Sequence, residues 1–290
     1  MNLSPSLCRA ACCHPSAVDV AAALSFLAPG QQRPFSYAFA PPEGVPWESG
    51  RFEEPVVAIA DARGLSSPTS LDAEGFELWD APSAVRDFDD AEEVTGSYYA
   101  EASELALAAT GGTRAFVFDH LLRRRAPASP TLSFGRATGP RAGVNGRIHC
   151  DYTETSGRRR LELVLPDARA RAGIPRFSIV NVWRPLRHPV LDVPLAFCDA
   201  RTVQPQDLVA AEVRYARRTG EIYFLVRAQR HRWCYFSAVT PGEALVFKQF
   251  DSDPSVARFT PHGAFDHPAA PVGHPPRESI ELRCLVVYDF

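Results

Sequence analysis

The stretch "GRIHCDYTET" sets an imidazole and a carboxylate two positions apart, His149 and Asp151. In an extended strand, residues i and i+2 leave the same face, so both side chains can converge on one point, and a metal ion is the natural occupant of that point. Two ligands do not make a site. Among the eight histidines, His262 in "FTPHGAF" is the best placed third member. It follows the apolar run "EALVFKQF" and precedes a loop leading to the last strand, so a rolled sheet can return it to the mouth that the first pair faces.

Two imidazoles and one carboxylate on one face of an iron(II) ion leave positions open for substrate and dioxygen, whereas zinc in a hydrolase uses a similar set with one position kept for water. An isolated His-x-Asp is also an ordinary surface pair, so support has to come from elsewhere in the chain. The last strand begins "PPRESIELR", where Arg277, Ser279 and Arg283 share a face. A planar guanidinium beside a hydroxyl is suited to hold a carboxylate through a charge-assisted fork plus one more hydrogen bond. Following His262, that pair can anchor the distal acid of 2-oxoglutarate while the keto-acid end chelates iron. The competing reading is a salt bridge from Arg277 to Glu278 or Glu281 on a solvated strand.

These residues need a scaffold, and 290 of them suffice for one large domain or a domain with a smaller companion. The 31 basic and 34 acidic residues balance too evenly for a protein that lives on a phosphate backbone, so nucleic acid is not expected as a partner. No apolar run is long enough to span a bilayer, and "VAAALSFLA" lacks the basic flank of an export signal; neither membrane nor secretion is expected. Seven cysteines without regular spacing read as reduced thiols in a cytoplasmic setting. Cys8, Cys12 and Cys13 with His14 match no zinc motif.

Residues 1–33 read as an N-terminal tail with one short helix, Val18 to Leu27, ended by the breaker "PGQQRP". Residues 34–110 read as an α/β extension packing on the core, and they include the clearest helix of the chain in "DDAEEVTGSYYAEASELALAATGG". Acidic residues crowd its first turn and two glycines end it. Residues 111–290 read as a strand-rich core, from "TRAFVFDHLLR" through "RFSIVNVWRP", "EIYFLVR", "WCYFSAV" and "EALVFKQF" to "SIELRCLVVYDF". Short strands divided by Pro, Gly and Asp turns predict a mainly β fold with flanking helices, a sandwich or a barrel.

The order His-x-Asp, a long strand-rich interval, a distal His and then Arg-x-Ser resembles the iron(II)- and 2-oxoglutarate-dependent dioxygenases with a double-stranded β-helix (jelly-roll, cupin-like) core. More narrowly, the chain resembles the hydroxylase/desaturase family of fungal secondary metabolism that also includes the bacterial cephalosporin 7-methoxylase subunit. The likeness runs from "GFELWDAPSAVRDF" to the C-terminus and takes in "YYAE", "FVFDHLLR", "HCDYTE", "NVWRPL", "PLAFCDA", "WCYF", "FKQFDSD", "PHGAF" and "RESIELR".

The resemblance implies that His149, Asp151 and His262 are iron ligands and that Arg277 with Ser279 binds the co-substrate carboxylate. It puts Asn181, Trp183 and Arg184 on an inner strand near the pocket, Arg184 holding a substrate or co-substrate acid unless it only closes a turn before Pro185. Tyr235 would offer its phenol to the co-substrate, unless it is a buried aromatic with a satisfied hydroxyl. Asp251 would serve a turn or orient neighbouring groups. Cofactors would be Fe(II), 2-oxoglutarate and dioxygen, and the partner a small-molecule substrate such as an amino acid, peptide or polyketide-derived intermediate. Two other classes stay open from the residues alone. A zinc hydrolase on the same triad would work without oxygen, and a non-catalytic β-sandwich binding protein would tolerate His262→Ala.

Overall fold

The apolar runs read as strands pair into two sheets that face each other, and the computed structural model describes residues 7–10, 17–126, 130–135 and 141–289 of them and their connections. Cys12, Cys13 and His14 lie outside the described residues. The first sheet runs, edge to edge, through Cys8–Arg9, Phe76–Asp80, Glu243–Asp251, Arg176–Pro185, Glu278–Tyr288 and Arg114–Arg124, antiparallel throughout. The second runs through Val20–Ala23, Val56–Asp61, Trp233–Tyr235, Leu195–Cys198, His262–Ala264, His149–Cys150, Thr219–Leu225, Leu208–Arg214 and Phe35–Tyr37. Both sheets therefore draw strands from the 34–110 segment as well as from 111–290.

Alternation along the central strand Arg176–Pro185 decides which side chains meet what. Ile179, Asn181 and Trp183 are buried on one face, where Trp183 joins Phe76, Leu245 and Phe247 of its own sheet with Leu195, Phe197 and Ala264 of the other. Val180 and Val182 turn to the opposite face and pack with Ile280, Leu282 and Val286 against Tyr98, Ala102, Leu105 and Ala106. Those last four belong to the expected helix. It starts at Asp90, whose side chain accepts from the backbone N–H groups of Glu92 and Glu93, and ends at Gly111 with φ of 69°. One turn of it, Val94–Tyr98, is wound as π-helix.

The expected helix from Val18 to Leu27 is corrected to strand. Val20–Ala23 pairs antiparallel with Val56–Ile59, and Phe26–Leu27 pairs with Phe52–Glu53. A second helix, Glu154–Val164, falls in a region read as extended, and Thr153 caps it through a reciprocal pair with Ser156. Its Gly157 is a contact requirement, because a Cβ there would sit 2.7 Å from the Phe250 ring. No helix among the described residues is long and apolar enough to cross a membrane.

Asp251 holds a buried charge cluster. Its carboxylate accepts from Lys248 Nζ at 2.8 Å and from Arg176 at 3.0 and 2.8 Å, and it also accepts the Asp253 N–H at 2.9 Å. Asp251→Asn leaves the buried ammonium and Arg176 with only the exposed Asp72 carboxylate to share. The expected loss is about 3 kcal/mol of stability, read from the urea midpoint of unfolding.

Candidate metal centre and co-substrate pocket

Strand register brings the two histidines together. His149 and His262 stand directly opposite each other in an antiparallel pair, so their side chains share a face and their ring centroids lie 4.5 Å apart. Asp151, two positions after His149, completes the group. One ligand atom from each of the three lies within 4.8 Å of the others, and His149 Nε2 is 3.3 Å from Asp151 Oδ1.

The ring orientations are fixed from behind. His149 Nδ1 lies 2.7 Å from the Arg147 carbonyl, and His262 Nδ1 lies 3.1 Å from the Thr260 carbonyl. A carbonyl only accepts, so in a neutral imidazole Nδ1 carries the hydrogen and the Nε2 lone pair faces the shared point. Burial, reinforced by His149, pushes the His262 imidazole down to about 3, leaving it neutral as a metal ligand must be. Burial alone would raise the Asp151 carboxyl, but Arg283 and the two imidazoles outweigh it and hold it well below the usual carboxylate range.

Asp151 is positioned as firmly. Its Oδ2 accepts from Asn181 Nδ2 at 2.9 Å and from Arg283 Nε at 2.9 Å, so Oδ1 is the oxygen turned to the histidines. Its backbone N–H donates to Gln249 Oε1 at 2.8 Å. Gln249 is the extra residue of a bulge, since Lys248 pairs with Val180 and Phe250 with Ile179, and the bulge re-aims its amide toward Asp151 and His262. Asn181 and Arg283 also stand opposite each other in register. A divalent ion fits this donor set, because two imidazole nitrogens and one anionic oxygen meet with their lone pairs inward and their outer atoms already bonded.

A second pole lies further along the same inner face. Arg277 is buried, its Nε 3.3 Å from Ser279 Oγ, its Nη1 donating to the Val193 carbonyl at 2.7 Å, its guanidinium 5.1 Å from the Trp183 ring. Among the described residues no carboxylate forms an ion pair with its side chain. The competing reading, a surface salt bridge to Glu278 or Glu281, is not made; Glu278 and Glu281 pair with other arginines. Burial, and then the nearby Arg123, pull the Arg277 guanidinium down to about 9. Arg123 stands opposite Ser279 on the neighbouring strand and donates Nη1 to the Gly143 carbonyl at 2.7 Å. The repulsion between buried Arg277 and part-exposed Arg123 is only partly offset by the Asp192 and Glu281 carboxylates until an anion joins them. Along the strand between the poles, Asn181 Oδ1 and Trp183 Nε1 are buried without a hydrogen-bond partner. A co-substrate carboxylate at Arg277, Ser279 and Arg123 fits the charge, and the unpaired Trp183 Nε1 leaves one more donor for an acceptor oxygen on this face.

For two residues the structural alternative holds, and strand parity is the reason in both. Arg184 follows Trp183 by one position and so leaves the opposite face, where its Nε donates to the Tyr98 hydroxyl at 2.8 Å. In Trp233–Tyr235, Cys234 faces the space between the sheets, so Tyr235 turns outward; its hydroxyl donates to the Val18 carbonyl at 2.8 Å and its ring meets Phe265. Neither reaches the metal centre or Arg277. Residues that sequence reasoning did not single out are Arg123, Asn145, whose amide is 3.3 Å from His149 Nε2, and Gln249. Arg123 owes its place to register, opposite Ser279.

Beside Asp151 and Arg283 a cleft of about 580 Å³ opens, bounded by Phe118, Tyr152, the helix Glu154–Val164 and the hairpin of Leu208–Arg214 with Thr219–Leu225. Its volume suits a small organic molecule.

The chain is matched over residues 24–287 by the model of the oxidoreductase/YMDC permease-like domain family. It is 32% identical over 241 residues to the Fe(II)/2-oxoglutarate-dependent dioxygenase nvfI of Aspergillus novofumigatus, covering 79% of this chain and 82% of that protein. It is also 32% identical over 261 residues to the hydroxylase/desaturase CTB9 of Cercospora beticola, covering 82% and 78%. The solved structure of the iron and alpha-ketoglutarate-dependent endoperoxidase NvfI superposes with a TM-score of 0.80 at 26% identity, over 93% of this chain and 98% of that one. The mainly β, double-stranded β-helix expectation agrees with that match. With its triad, fold and relatives in accord, the chain belongs to that oxidoreductase family and to the iron(II)- and 2-oxoglutarate-dependent dioxygenases that include hydroxylases and desaturases.

Proposed function

We propose that His149, Asp151 and His262 hold iron(II), that Arg277 and Ser279, helped by Arg123, hold the far carboxylate of 2-oxoglutarate, and that the cleft beside Asp151 admits a small-molecule intermediate of secondary metabolism. The outcome is hydroxylation, desaturation or oxidative ring closure of that molecule. The observation that carries this reading is the convergence of three ligand atoms within 4.8 Å, backed by a buried arginine pole on the same inner face. When bound, iron(II) and 2-oxoglutarate with dioxygen supply an oxidant able to take hydrogen from an unactivated carbon.

The chain's own residues bind, orient and exclude water. Arg147 and Thr260 carbonyls keep both imidazoles in the tautomer that ligates, Asn181 and Arg283 keep one carboxylate oxygen for the metal, and Phe247 and Phe197 wall His262 off from solvent. Nucleic acid has no part in this reading. A cytoplasmic setting is included in it, supported by Cys150, Cys198, Cys234 and Cys284, all buried and unpaired.

The test is co-substrate turnover. Purified protein given ferrous iron and 2-oxoglutarate is expected to form succinate only with dioxygen present. Hydrolytic turnover that persists anaerobically with zinc would instead select the hydrolase reading, in which the Arg277 pole has no task.

A further inference from the structure

We propose that the cleft beside Asp151 is built for a substrate carrying an oxyanion, a carboxylate or its equivalent, on an apolar body; this rests on the oxygenase reading only for calling the ligand a substrate. One wall of the cleft is the face Ser156, Arg159, Arg160 and Leu163 of the helix Glu154–Val164. The other is the hairpin whose turn carries Tyr215 and Arg218.

Five arginines and four carboxylates line this cleft, an excess of one positive charge, and the carboxylates are gathered away from three of the arginines. Its four carboxylates are all engaged by two arginines. Arg283 holds Asp119 at 3.0 Å and Asp151 at 2.9 Å, and Arg33 holds Glu221 at 2.9 Å and Glu212 at 3.6 Å. Arg159, Arg160 and Arg218 line the same space with no carboxylate partner among the described residues. Arg160 lies with its guanidinium carbon 4.6 Å from the Phe118 ring centre and 5.9 Å from that of Tyr152, and Arg218 lies 3.9 Å from that of Tyr215. An arginine stacked by its flat face keeps its N–H edge for an oxyanion. The Nε of Arg160 is shielded from solvent and has no hydrogen-bond partner. Leu163 and Tyr215 are 60% and 39% exposed on this cleft, a large apolar surface left for the rest of a ligand. An acid clamped at Arg160 thus leaves its apolar body to Leu163 and Tyr215.

The experiment is a fluorescence titration of the full chain, metal-free, with two probes of one aromatic skeleton. One is 8-anilinonaphthalene-1-sulfonate; the other is N-phenyl-1-naphthylamine, which lacks the sulfonate. The sulfonate probe is expected to saturate one site, to bind about tenfold more weakly to Arg160→Gln, and to recover in part with Arg160→Lys. The neutral probe is expected to change less than about twofold. Arg218→Gln, on an exposed turn where folding is not at risk, is expected to weaken the sulfonate probe alone. Equal losses for both probes, no loss in either variant, or displacement of the sulfonate probe by 2-oxoglutarate that vanishes in Arg277→Leu would overturn the proposal. Failure of the oxygenase reading is separable, because it is read from iron and 2-oxoglutarate binding and leaves the probe titration untouched.

Discussion

Asp151→Ala is expected to weaken iron(II) binding by more than about a hundredfold and to reduce turnover to background, a larger loss than altering the groups that merely orient a ligand, which typically costs 10- to 100-fold. The size follows from charge as well as ligand count. Asp151 is the anionic member of the triad, and it stands between the shared point and the Arg283 guanidinium, 2.9 Å from its Oδ2. Without it, a divalent ion would meet two imidazoles with the Arg283 guanidinium behind them and no anion in between. Arg283 itself stays paired with Asp119 and Glu281, so the variant is expected to fold. His262→Ala should lose binding too, though without the added repulsion. Calorimetric titration with ferrous iron under argon measures both, and a non-catalytic binding protein would tolerate either change.

Arg277→Leu has the next largest expected effect, and it acts on the co-substrate. A guanidinium that meets a carboxylate in a fork makes two charge-assisted hydrogen bonds, each worth about 1.5 to 3 kcal/mol when buried. Their loss predicts that the KM for 2-oxoglutarate rises by about a hundredfold or more, while metal affinity stays within a few-fold. A structural role would show differently. Among the described residues Arg277 makes no ion pair and lies beside Arg123, so leucine removes a like-charge contact and packs on Trp183 while giving up the bond to the Val193 carbonyl. The two effects oppose, so the thermal midpoint should move little while co-substrate binding collapses. Turnover that survives the change undiminished would point to an oxidation that does without 2-oxoglutarate.

Much of the site was legible because strand periodicity is simple. His149 and Asp151 share a face by spacing alone, as do Arg277, Ser279 and Arg283, and the capped helix ending at Gly111 announces both of its ends. Register was not legible: that His262 lands opposite His149, and Arg123 opposite Ser279, depends on pairings between distant segments. Parity decides which side chains of a motif reach the inner face. In "NVWRP" and "WCYF" neighbours in the strand point apart, so Arg184 goes to Tyr98 and Tyr235 to Val18. The alanine-rich Val20–Ala23 has helical propensity, and pairing with Val56–Ile59 overrides it. Gln249 owes its place to a bulge, which no hydrophobic pattern marks.

The most direct measurement is the visible absorption of pure protein on anaerobic addition of ferrous iron and 2-oxoglutarate. A charge-transfer band that appears with the wild type, is lost in Asp151→Ala, and needs far more 2-oxoglutarate in Arg277→Leu is the predicted result. No band in the wild type, or an unchanged band in Asp151→Ala, would contradict a metal centre at His149, Asp151 and His262.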